Sequence, residues 1–144
     1  PRADGEGAVL AIQKALDDAK IKSTEIDYIN LHGTGTKLND AMESVAVNRV
    51  FGCDVPCSST KGLTGHTLGA SGALEAAFCC LTLDKKNAEH FLPVHHFDGE
   101  RDLEIPQIHL VKKGETSARL NICMSNSFGF GGCNVSLILG KNDD

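Results

Sequence analysis

A layered α/β fold, with helices covering a mixed sheet, is what this sequence predicts. Three observations carry that reading. Segments with helical apolar spacing alternate with short strand-like runs. The last two apolar runs lie about ten residues apart across a glycine-rich turn, so an antiparallel pair closes the chain. The chain has 144 residues, 41% of them hydrophobic, which is enough for one packed domain spanning 1–144.

The elements follow in order. Residues 5–20 form an amphipathic helix, because Val9, Ile12, Leu16 and Ala19 recur at three- and four-residue steps between charges. Ser23-Thr24 supplies a turn, and Ile26–Leu31 has the β-rich composition of a strand. Residues 32–37, HGTGTK, make a glycine-rich connection. A second helix covers 39–51, with Met42, Val45, Ala46 and Val50 on one face, and Val55–Ser58 is a short buried strand. From 65 to 84 small and apolar residues run almost all round a helix, which predicts a third helix buried on most sides. Residues 85–106 hold Pro93, Gly99, Pro106 and many charges and read as a long loop. Leu120–Ser125 and Val135–Leu139 are the closing strands, joined through 128–132.

Composition excludes several classes. Lys and Arg total 14 against 19 Asp and Glu, a net charge of −5, so there is no global basic field for nucleic acid. The longest apolar stretch, Phe78–Leu83, falls far short of the ~20 residues of a membrane helix. The six cysteines include the adjacent Cys79 and Cys80 in an apolar helical run, which suits reduced structural thiols and a cytoplasmic location better than disulfides. Zinc is the competing use of Cys53-x3-Cys57, with His90, His95 and His96 downstream. No second well-spaced pair completes a tetrahedral set, so no metal is expected, and His95, His96 and His109 read as surface or boundary residues.

Several residues carry possible chemistry. His32 follows a strand and opens a Gly/Thr run, the place where open α/β sheets bind ligands. Lys61-Gly-Leu-Thr-Gly-His66 repeats that arrangement after the second strand. Its spacing is not that of a nucleotide-binding loop. His66, near a helix N-terminus, is expected to be neutral and able to polarise a carbonyl. Lys61 has two acids to choose from, Asp40 and Glu43, one helical turn apart. Glu75 is the one charge between Lys61 and Asp84 and must be paired, hydrogen-bonded, metal-bound or protonated in a buried helix. Cys57 ends a strand rather than starting a helix, which weakens it as a nucleophile. Phe128 and Phe130 alternate with Gly129, Gly131 and Gly132, a pattern for either a packed hairpin or a swinging gate.

Three motifs then coincide in order: His32-Gly-Thr-Gly-Thr36, Ser59 to Gly72 (STKGLTGHTLGASG), and Asn126-Ser-Phe-Gly-Phe-Gly-Gly132. Together they resemble the C-terminal half of a bacterial β-ketoacyl-acyl carrier protein synthase of the elongating Cys-His-His type. The resemblance covers essentially the whole chain. It implies a thiolase-like αβαβα fold of which this is the second half, the nucleophilic Cys lying in an N-terminal half upstream. It implies that His32 and His66 are the catalytic histidines and Lys61 the active-site lysine, with Asp40 and Glu43 as its carboxylate partners and Thr34 and Thr36 in support. Glu75 is placed near a water or monovalent-cation site, and no other cofactor is implied. Phe130 is placed as the gating phenylalanine, with Phe128, Gly129 and Gly131 beside it along the substrate tunnel. The implied reaction is decarboxylation of malonyl-acyl carrier protein and Claisen condensation with an acyl-Cys thioester, in fatty acid, polyketide or polyene synthesis. The implied partners are acyl carrier protein bearing malonyl or acyl thioester, the chain's own N-terminal half, and a second copy of the full-length enzyme. The segment alone is expected to be inactive and to expose apolar surface. Cys133, Lys37 and Asn39 depart from the family's usual residues, and Lys37 and Asn39 are expected to touch neither histidine. Two other classes compete: a non-catalytic chain-length-determining partner subunit, and a zinc-binding interaction module.

Overall fold

Residues 3–141 are described by a computed structural model. The first helix, α1 (Glu6–Ala19), buries Ala8, Val9, Ile12 and Leu16 along one stripe. It starts after Gly5 and stops at Lys20, both in the left-handed region. The strand β1 (Tyr28–Asn30) leads through the glycine-rich connection to α2 (Lys37–Phe51). Thr36 caps α2, its hydroxyl accepting from Asn39 N–H at 3.4 Å. The strand β2 (Pro56–Ser58) is followed by a one-turn helix α3 (Lys61–Thr64), a 3-10 turn at 68–70 and α4 (Ser71–Leu83). The chain then runs through β3 (His109–Leu110), β4 (Ile122–Phe128) and β5 (Asn134–Gly140).

These strands form one mixed sheet in the order β3-β2-β1-β4-β5. The first four are parallel neighbours, and β5 runs antiparallel to β4, as the short closing connection predicts. Helices α1 and α2 cover one face, over a core of Ile12, Ile29, Met42, Ala46, Val47 and Met124. Helix α4 lies across the other face, over Tyr28, Cys79, Val111, Leu120 and Cys123. Asp27 joins β1 to β4: its carboxylate accepts from Arg119 Nε at 2.6 Å and from the amides of Asn121 and Ile122 at 2.7 and 3.0 Å.

Two expectations are corrected, and one strand was unforeseen. The stretch 65–84 is not one helix. Gly65 has φ 71° and Leu68 φ 51°, and two left-handed residues cannot lie inside a right-handed helix. Nor is α4 buried on most sides. Ser71, Glu75, Cys79, Thr82 and Leu83 face the sheet, whereas Ala73, Ala77, Cys80 and Leu81 are exposed, Leu81 at 65%. An all-round apolar pattern needs cover on both sides, and one side is uncovered here. The unforeseen strand is β3, only two residues long and too short to leave an alternation in sequence.

Candidate active site

The carboxyl ends of β1, β2 and β4 open at the same edge of the sheet because the three are parallel. The proposed chemistry gathers there. His32 follows β1, and His66 lies between α3 and the 3-10 turn. Their rings are 5.6 Å apart between centroids and almost perpendicular, at 85°. The Phe128 ring, at the end of β4, stands edge-on to His32 at 6.0 Å.

Each histidine is held by its backbone or by its own ring. The amides of His32 and Gly33 both donate to the Glu43 carboxylate at 2.8 Å. Glu43 is 2% exposed and also accepts from Asn39 Nδ2 at 3.2 Å and Asn126 Nδ2 at 3.4 Å. Burial pushes its carboxyl above the usual range, and those four donors oppose the shift. The His32 carbonyl accepts from Lys61 Nζ at 2.5 Å. On His66, Nδ1 accepts from Leu68 N–H at 3.1 Å and lies 3.3 Å from Ser71 Oγ. An amide can only donate, so Nδ1 is bare and a neutral ring carries its proton on Nε2.

His32 is 8% exposed, and its pKa falls to about 4 from 6.5, through burial first and then the charges of Lys61 and His66. The ring is therefore neutral at neutral pH. An imidazole with a depressed folded pKa binds its proton less readily folded than unfolded. Its contribution to stability is thus complete above about pH 6.5 and is lost as the pH falls toward 4. NMR titration of the His32 ring protons is expected to show a midpoint near 4, and a midpoint at 6.5 would contradict the buried setting.

Lys61 does not pair with Asp40 or Glu43. Its ammonium donates to Glu75 Oε1 from α4, and the two side chains are 4% and 2% exposed. Glu43 is occupied by the His32–Gly33 backbone, and half-buried Asp40 is held by the Gly35 backbone and the Asn39 side chain. Burial raises the Glu75 carboxyl, and Lys61 opposes that shift. The second Glu75 oxygen, Oε2, is buried without a protein donor. One such oxygen beside an ammonium does not make a cation site. Asn39 bonds neither histidine directly, as expected, but its Nδ2 donates to the Glu43 carboxylate that accepts the His32 amide.

Thr34 and Thr36 face each other with hydroxyls 3.0 Å apart, and Thr36 also caps α2. Phe128 is 3% exposed and packed within the core, the packed-hairpin alternative for this residue. Gly129 donates to the Cys133 carbonyl at 2.8 Å, and Gly131 has φ 74°. The side chain of Phe130 lies outside the described residues. Cys57 is fully buried, its thiol donates to the His109 carbonyl at 3.1 Å, and burial pushes its pKa up, so it is no nucleophile. Among the described residues no group of three or more His, Cys, Asp or Glu gathers as a metal site.

Sequence reasoning missed Ser59 and His95. The Ser59 hydroxyl donates to the Gly33 carbonyl at 2.6 Å, and its amide donates to His95 Nδ1 at 3.0 Å. Ser59 lies at the start of the second motif, where only the packed loops reveal its contacts, and His95 lies in the long loop with no local pattern to mark it.

The geometry has a simple chemical capacity. Two imidazoles this close can each send an N–H to one oxygen, since two ordinary hydrogen bonds of ~2.8–3.0 Å meeting there span the gap. Such a pair has the capacity to stabilise negative charge developing on an oxygen placed between the rings.

Comparisons with known proteins bear on the family of this chain. The family described as Beta-ketoacyl synthase, C-terminal domain, matches residues 1–95. The chain is 42% identical over 142 residues to 3-oxoacyl-(acyl-carrier-protein) synthase 2 of Rhizobium meliloti, covering 96% of this chain and 32% of that protein. A solved ketosynthase in complex with its chain length factor, from Xenorhabdus doucetiae, is 52% identical with a TM-score of 0.88, covering 97% of this chain and 34% of that one. A type II polyketide ketosynthase solved with its acyl carrier protein is 28% identical with a TM-score of 0.87, covering 99% of this chain and 34% of that one. The chain spans about a third of the length of the curated relatives it matches.

Proposed function

Because the chain belongs to the beta-ketoacyl synthase family, as its C-terminal domain, we propose that it supplies the decarboxylating half of a condensing enzyme's active site. The observation that carries this reading is the His32–His66 pair, 5.6 Å apart, beside the buried Lys61–Glu75 pair.

In this reading an acyl group is held as a thioester on a Cys of the N-terminal half. Malonyl thioester on acyl carrier protein enters beside the two histidines. Its C–C bond to the carboxylate breaks, CO2 leaves, and the electron pair moves into an enolate. His32 and His66 donate to the enolate oxygen. The enolate carbon attacks the acyl thioester carbonyl, and the Cys thiolate departs as the new C–C bond forms. Neutral rings suit this work: the bare Nδ1 of His66 leaves the ring's N–H on Nε2, and the low pKa of His32 keeps that ring uncharged. Lys61 holds the His32 carbonyl and sets a positive charge near the developing anion.

The partners follow from the same reading. Acyl carrier protein brings the malonyl and acyl groups. The N-terminal half covers the exposed face of α4, where Ala73, Ala77 and Leu81 stand open with Leu63 and Leu68 nearby in sequence. The full-length enzyme pairs with a second copy. Six cysteines without disulfides suit a reducing, cytoplasmic compartment, and no helix among the described residues is long and apolar enough to cross a membrane. The presence of His32, Lys61 and His66 together favours catalysis over a silent partner subunit, which has no need of all three.

The test is malonyl decarboxylation by the full-length enzyme. His32→Ala and His66→Ala are each expected to slow it by ~100-fold or more, the scale of losing one oxyanion donor. An unchanged rate in either variant removes that residue from the mechanism.

A further inference from the structure

His95 lies in the connection between α4 and β3, outside every motif that points to the site. That connection is anchored just beyond the edge strand β3. Leu92 is buried and donates its amide to the Glu115 carbonyl at 3.0 Å, and the His95 amide donates to the Val111 carbonyl at 2.9 Å. The His95 ring turns the other way, toward the active site. Its Nδ1 is the acceptor for the Ser59 amide at 3.0 Å, and its ring packs 5.2 Å from that of Phe97. Since an amide N–H only donates, Nδ1 carries no proton.

Ser59 is the junction between the two loops of the site. It is 5% exposed, its hydroxyl donates to the Gly33 carbonyl at 2.6 Å, and the same oxygen accepts the Lys61 amide at 3.3 Å. It therefore joins the His32 loop to the residue whose ammonium holds the His32 carbonyl. A second contact seats the same strap on the same turn. A Cβ placed on Gly62 would come within 3.2 Å of the His96 carbonyl oxygen and 3.3 Å of His96 Cβ. Without an acceptor at His95, the Ser59 amide becomes a largely buried donor with no partner, and the turn must shift to find one.

We propose that His95 is a positioning residue for this site: its unprotonated Nδ1 receives the Ser59 amide, which keeps Ser59 Oγ between Gly33 and Lys61 and Lys61 on the His32 carbonyl. Burial, and the neighbouring His96, lower the pKa of His95 and so favour the bare nitrogen. The activity arm of the test rests on the condensing-enzyme reading; the exchange arm does not.

The test compares His95→Leu, which fills similar space with no acceptor, with His95→Asn, whose Oδ1 branches from the same carbon position as Nδ1. Both are made in the full-length enzyme. Malonyl decarboxylation supplies kcat and KM, and hydrogen exchange measured by mass spectrometry follows the peptide containing Ser59. His95→Leu is expected to lower kcat by ~10-fold or more with KM within about 2-fold, since small misplacements at a preorganised site cost rate rather than binding. It is also expected to speed Ser59 amide exchange by ~10-fold, while His95→Asn stays within about 3-fold of wild type on both counts. A normal kcat in His95→Leu, unchanged Ser59 exchange, or a His95→Asn variant no better than His95→Leu overturns the proposal. If His95→Leu does not fold, His95→Ala, which also lacks an acceptor, takes its place with the same expectations. Should the wild-type enzyme decarboxylate no malonyl group, the condensing-enzyme reading fails, and the exchange arm still decides the role of His95.

Discussion

Glu75→Ala is expected to destabilise the protein by about 3–5 kcal/mol, the usual cost of removing one partner from a buried ion pair. The two side chains are almost wholly excluded from water, at 4% and 2% exposure. The Lys61 ammonium keeps only the His32 carbonyl when Glu75 is gone, and one neutral acceptor does not replace hydration plus a counter-charge. Glu75→Gln should cost less, because it retains an acceptor for the ammonium. The double variant Lys61→Met, Glu75→Leu should recover most of the stability while losing activity, since the pair contributes position and field rather than net folding energy. Denaturant unfolding checks the ranking. A loss below ~1 kcal/mol for Glu75→Ala would mean that the site is wetter than its burial implies.

Gly33→Ala is the second large effect. Gly33 has φ +38°, and a Cβ there would stand 2.4 Å from Ser59 Cβ and 2.7 Å from Ser59 Oγ. Neither atom can yield cheaply, because Ser59 is tied to Gly33, Lys61 and His95 at once. The expected outcome is a destabilisation of about 2–4 kcal/mol from overpacking and backbone strain together. A fall in decarboxylation of ~100-fold should accompany it, because the loop carrying His32 has to move. Gly35→Ala is the internal control. Its φ is +73°, but nothing lies within 4 Å of the added carbon, so only the dihedral cost of about 1–2 kcal/mol applies. Equal effects at the two positions, read by unfolding and by turnover, would show that the Ser59 contact is not what constrains the loop.

Much of the scaffold was legible because its signals are local. Val9, Ile12 and Leu16 mark one face of α1, and all three are buried. Met42 and Ala46 mark α2 in the same way, although the helix begins two residues earlier than its apolar pattern, at the Thr36 cap. The closing hairpin was readable from two β-rich runs and the glycines between them. Strand β4 nonetheless extends three residues further, to Phe128, because pairing with β5 continues past the apolar run. The break in the 65–84 stretch was not readable. The His66 ring takes the Leu68 amide that helix geometry would have committed elsewhere, and a side-chain choice of that kind leaves no periodic trace.

For the site, motif order alone pointed to His32, Lys61 and His66, since each follows a strand end or a glycine-rich turn and local chain geometry carries it there. The partners of those residues were settled only by the packed molecule. Lys61 takes Glu75, fourteen residues away on a helix crossing the far face of the sheet, and not the nearer-looking acids of α2. Glu43 instead closes on two backbone amides, and Ser59 finds His95 thirty-six residues downstream. The physical reason is the same in each case. Apolar spacing and turn chemistry act within a few residues, whereas a buried charge or amide must be satisfied by whatever group the assembled layers bring within about 3 Å, whatever its place in the chain.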